Sequence, residues 1–197
     1  MTSIFTQYAI GAVLLLMATS LVLLISQNWR WTLAAFGLQY LGIFWLVAGV
    51  WPISLAAVKL IVGIMAGAVL ATSQLGNAAA EKGSTALSGR IFRLLTAGLI
   101  WIVVFSVSPQ VTSWIGIRQE LVTGGLLLAS MGLLQMGMTG QLLRVGIGLL
   151  SFLAGFEVIY AALEVSVMLA GLLAAITLAL ALVGAYLLAA PEMAGEK

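Results

Sequence analysis

Seven apolar runs, each close to the length needed to cross a bilayer, follow one another along the 197 residues of this chain. They fall near residues 6–26, 31–50, 53–74, 91–108, 120–138, 141–163 and 165–189. A hydrocarbon core of about 30 Å takes roughly 20 apolar residues of helix. Inside it every backbone N–H and C=O must be satisfied within its own segment, which leaves helices as the solution for runs of this length. The pattern therefore predicts an all-α polytopic membrane protein, a single integral membrane domain over residues 1–197 with the lipid bilayer as its first partner.

The breaks between runs are short. Asn28-Trp29-Arg30-Trp31 reads as a polar and aromatic turn with indoles suited to the membrane interface. Trp51-Pro52 reads as a second turn, since proline is well placed at a helix start. Residues 75–90 form the one long polar loop, and residues 108–120 a shorter connection that contains Pro109 and Trp114. Residues 138–141 and the neighbourhood of Glu164 supply the last two turns.

Composition excludes most site chemistry. The chain is 63% hydrophobic and 7% charged, with eight basic and six acidic residues and no histidine or cysteine. Every acid is a glutamate. No metal or cofactor is expected, because zinc, haem and iron–sulfur groups need ligands that are missing. A Ser-His-Asp constellation is equally impossible, so no catalytic residue is assigned. A net charge of +2 gives no reason to expect a nucleic-acid partner.

Basic residues set the expected orientation. With the N-terminus outside, Arg30, Lys82, Arg90, Arg93, Arg144 and Lys197 all lie on the cytoplasmic side, and Arg118 lies opposite. The reading is N-out and C-in. No basic residue precedes the first run, so a cleaved signal peptide is not expected. A shift of 111 positions lays residues 11–72 over 124–187 and pairs Gly37-Leu38 with Gly148-Leu149 and Lys59 with Ala170. That echo suggests a parallel repeat of three plus three helices joined by the fourth.

Two charges remain inside the hydrocarbon. Lys59 lies six residues into the third run, or ~9 Å from its outer boundary at ~1.5 Å per residue. It can either snorkel outwards or face the bundle interior. Gly63 and Gly67 follow at four and eight positions on the same face and form a GxxxG. Such a face lets another backbone approach closely, which favours the interior. Glu157 lies about sixteen residues into the sixth run, counted from inside, at a comparable depth. Opposite charges at one depth predict a Lys59–Glu157 contact that offsets part of each desolvation cost. Glu164, seven positions later on nearly the same face, is a third ion-path candidate, although its place at a turn suits a solvated carboxylate. Arg144 reads as a topology anchor, and Gln39 and Gln135 as interhelical hydrogen-bonding amides.

These features together resemble the hydrogenase-4 component E family, whose C-terminal helices are similar to the K-type membrane protein of complex I and the C-type membrane protein of Mrp antiporters. The resemblance rests on the seven-run count, on KLIVGIMAGAV at 59–69, and on LLRVGIGLLSFLAGFE at 142–157 followed by a closely spaced last helix. Lys59 would match a lysine that opens the third-span segment, and Arg144 with Gly148 a basic residue followed by a packing glycine. Two departures stand out. The family pattern places a glutamate near Leu150–Leu153, where this chain has Glu157 a turn later, and its last helix lacks a second acid, with Ala170 at the best-matching position. The resemblance implies a non-catalytic membrane-arm subunit of a complex I-like or group 4 hydrogenase-like complex that translocates protons or sodium. Its partners would be antiporter-like and other membrane subunits of an oxidoreductase in the prokaryotic cytoplasmic (inner) membrane. The weak repeat supports an alternative, a stand-alone small-solute or ion transporter or channel.

Overall fold

Each apolar run satisfies its own backbone as a helix. The computed structural model describes residues 8–76 and 87–195, with side chains over 8–75 and 89–190. Among the described residues seven helices succeed one another: α1 (Ala9–Ile25), α2 (Trp29–Ala48), α3 (Ile53–Gly76), α4 (Leu87–Ile115), α5 (Gln119–Gly137), α6 (Leu142–Leu163) and α7 (Val167–Gly195). No strand occurs among the described residues. Six of the helices, α2 to α7, are long and apolar enough to cross a membrane, and α1 is a shorter apolar helix of 17 residues. The chain thus has the fold of a helical, multi-pass membrane protein. Lys82, Lys197 and most of the long polar loop lie outside the described residues.

Two expected breaks fall elsewhere. Trp29, Arg30 and Trp31 belong to the first turn of α2, not to a turn before it, because Asn28 caps the helix: its Oδ1 accepts from the Arg30 N–H at 3.0 Å. The fourth helix does not stop at residue 108. It runs through Pro109 to Ile115, a length of 29 residues, and the connection shrinks to residues 116–118 around Gly116, whose φ is +74°. Proline removes one N–H and frees one carbonyl, whereas an end there would leave several backbone groups unpaired near lipid. Ser108 is fully buried and lies 2.5 Å from the Thr123 hydroxyl of α5, which ties the proline turn to its neighbour.

The closest helix pair is α5 with α6, and four glycines explain it. A Cβ on Gly155 would stand 2.5 Å from the Gly125 carbonyl oxygen, and one on Gly132 would stand 2.5 Å from that of Gly148. Gly125 meets Gly155 while Gly132 meets Gly148, so the two helices run antiparallel with their backbones in contact. The remaining packing places α3 against α7 and α2, α1 against α2 and α5, and α4 at the periphery against α5 and α1. Phe36, Tyr40, Ile43, Leu127, Leu128, Ile147 and Leu150 fill the centre.

The two ends of the bundle differ in charge. Arg93, near the start of α4, reaches the carbonyls of Leu24 and Met138 at the ends of α1 and α5. Arg144, at the start of α6, reaches the carbonyl of Ser26. With Arg30 and Arg90, that end collects four arginines, while Arg118, Glu120 and Glu164 lie at the other. The glycines paired by the 111-residue shift have unlike surroundings: Gly37 faces open space, and Gly148 is pressed against α5.

Candidate functional site: a buried lysine–glutamate pair

Lys59 and Glu157 project from α3 and α6 into one layer of the bundle, with their charged atoms 2.5 Å apart. They are 4% and 3% exposed, so neither charge reaches a surface. Lys59 does not snorkel. Burial on this scale costs several kcal/mol per ion, and only a close opposite charge offsets it. Apart from Glu157, no described group accepts a hydrogen bond from the Lys59 ammonium. The other carboxylate oxygen, Glu157 Oε1, has Thr177 of α7 at 3.4 Å.

The GxxxG segment after Lys59 works differently from the expected backbone approach. Gly63 is occupied by the ring of Tyr40 from α2, close enough that a Cβ there would fall inside it. At Gly67, the Phe36 ring stands 3.4 Å from where a Cβ would lie. The two rings meet edge to face, with centroids 5.0 Å apart. The missing side chains on α3 thus make room for aromatic rings, not for a second backbone. The feature still serves the site, because it holds α3 against α2 one turn beyond Lys59.

A second polar group lies toward the arginine-rich end. Ser151 of α6 donates to Gln39 Oε1 at 3.1 Å, and Gln39 donates from Nε2 to Ser20 of α1 at 3.4 Å. These three side chains are 1–3% exposed and link α1, α2 and α6. Nearer that end, Gln135 donates to the Arg144 carbonyl at 3.1 Å. Arg144 itself is 6% exposed and lies between helices. Glu164 stays apart from the pair. It is exposed at the end of α6 and accepts from its own helix, from the Tyr160 hydroxyl at 2.8 Å.

Sequence reasoning singled out Lys59 and Glu157 but missed Tyr40, Thr177 and Trp51. Trp51 is 2% exposed and donates its indole N–H to the Ala161 carbonyl at 2.7 Å, which joins the end of α2 to the end of α6 just beyond Glu157. Tyr40 carried one signal, a phenol in the middle of an apolar run, since a buried hydroxyl usually has a polar neighbour. Among the described residues no three His, Cys, Asp or Glu side chains cluster as metal ligands do.

Chemically, the pair can exchange one proton internally. Transfer from the Lys59 ammonium to Glu157 breaks an N–H bond, forms an O–H bond and removes both charges, and the reverse step restores them. Fold and site together define a helical membrane protein with an internal ion pair. No family model, curated protein or solved structure matches the chain.

Proposed function

We propose that this chain is a non-catalytic membrane subunit of a proton- or sodium-translocating redox complex of the complex I-like or group 4 hydrogenase-like kind, with seven spans, N-out and C-in, in the prokaryotic cytoplasmic membrane. The observation that carries the reading is the Lys59–Glu157 pair, nine-tenths or more buried and shared between two helices. Hydrophobic residues of similar volume often stabilise a core as well as or better than a buried ion pair. A pair placed inside an apolar bundle therefore points to use of its charge. A charge that arrives in a neighbouring subunit would shift the pair between its ionic and neutral forms and so transmit the change from one subunit to the next. The sequence resemblance to the hydrogenase-4 component E family supplies the class of complex. A stand-alone transporter built on broken helices fits less well, because α3 and α6 run unbroken past the pair.

Affinity purification of the tagged chain from its native membrane tests the reading. Antiporter-like subunits and an iron–sulfur protein arm should come with it. Isolation of the chain alone, together with solute flux when it is the sole protein in liposomes, would overturn the proposal. In the intact complex, Lys59→Met should lower ion translocation while assembly persists, and unchanged translocation would make Lys59 structural.

A further inference from the structure

The Tyr40 hydroxyl is the polar group that the ion pair leaves unexplained. Tyr40 is 2% exposed and its Oη has no hydrogen-bond partner among the described residues. Its ring is fixed in the Gly63 notch, one helical turn from Lys59. Two more unmet valences lie in this layer. The Lys59 ammonium carries three N–H donors and, among the described residues, meets only Glu157. Glu157 Oε1 faces the Thr177 hydroxyl at 3.4 Å, but the single proton of that hydroxyl has a better acceptor in the Leu173 carbonyl at 2.9 Å. A phenol, an ammonium and a carboxylate oxygen thus share one buried layer, each short of a partner. Buried polar groups of this kind are nearly always satisfied, by protein or by internal water with about three hydrogen bonds.

We propose that these groups hold an internal water that accepts from Tyr40 and Lys59 and donates to Glu157 Oε1, which makes Tyr40 a positioning residue of the pair. The water closes a ring of donors and acceptors across α2, α3 and α6 and keeps Lys59 and Glu157 in register. The inference deepens the ion-path reading of the same site and rests on it for its functional meaning. Its test does not depend on that reading, because it needs only the purified full chain in lipid.

Infrared spectra in ordinary water and in water labelled with oxygen-18 report internal water as an O–H band that shifts with the isotope. The wild-type chain should show such a band, and Tyr40→Phe, which keeps the ring in its notch, should lose it. Glu157→Gln should alter the same band. Persistence of an unchanged band in Tyr40→Phe overturns the proposal. Loss of stability in Tyr40→Leu alone, with Tyr40→Phe spectrally wild type, also overturns it and leaves Tyr40 a packing residue. Should Tyr40→Phe fail to accumulate, a cryo-EM map of the wild type at a resolution that shows waters decides the matter: density bridging Tyr40 Oη and Lys59 Nζ supports the proposal, and its absence there overturns it. Failure of this test leaves the co-purification result untouched, and the converse also holds.

Discussion

Lys59 and Arg144 are both cations buried to nearly the same extent, 4% and 6% exposed, yet the bundle treats them in opposite ways. Lys59 is met by a carboxylate from another helix. Arg144 is met by the Ser26 carbonyl, at the C-terminal cap of α1. The last carbonyls of a helix lack intrahelical partners and carry the negative end of its dipole. Arg144 therefore supplies donors where the backbone is short of them, and Arg93 does the same for Leu24 and Met138. A guanidinium does not lose its proton in a protein, so the arginine end is a fixed clamp. The lysine end holds two groups that can exchange a proton. Burial of a positive charge is thus no sign of function by itself, and the chemistry of its partner decides.

The largest expected effect comes from breaking the lysine end. Glu157→Gln leaves a buried ammonium uncompensated and should destabilise the chain by about 3 kcal/mol or more, read as a fall in the thermal midpoint in detergent. Replacement of both partners, Lys59→Met with Glu157→Leu, should recover much of that loss. If the double variant is as unstable as the sum of the single ones, the two side chains do not act as a pair and the contrast with Arg144 collapses.

At the arginine end the expected effect is smaller and local. Arg144→Met removes the donor to the part-buried Ser26 carbonyl, a loss of about 1 kcal/mol. Amide hydrogen exchange should rise at the end of α1 and at the start of α6 while the Lys59–Glu157 layer keeps its protection. Equal loosening at both ends would show that the clamp and the pair are one unit.

The sequence already carried the helices, because lipid demands unbroken backbone pairing wherever apolar runs are long. It also carried the depth of Lys59 and Glu157, since residue counts convert directly into height. It did not carry helix faces. In a soluble protein polar residues mark the outer face, but here lipid and core are equally apolar and the periodic signal vanishes. Gly11, Gly98 and Gly171 face open space while Gly125, Gly132 and Gly155 touch backbone, and nothing in the run of letters separates them. Pro109 misled for a related reason: its rule comes from water, where an ended helix finds solvent partners. The acceptor of Arg144 was not legible either, because it is a carbonyl 118 positions away in the chain.

The smallest effect belongs between the two ends, at the Ser20–Gln39–Ser151 chain. Ser151→Ala removes the donor to Gln39 Oε1 but leaves Gln39 its bond to Ser20. Interhelical hydrogen bonds in membrane proteins average about 0.6 kcal/mol, because the unfolded segment also finds partners within the bilayer. A thermal shift near the limit of detection is therefore expected, with no change at Lys59–Glu157 or at Arg144. The position also sharpens the comparison between the ends. Ser151 lies on α6 between Arg144 and Glu157, so a drop as large as that of Glu157→Gln would mean that the polar groups along α6 work together. A small drop means that the clamp and the pair stand on separate foundations along α6, with no relay of hydrogen bonds between them.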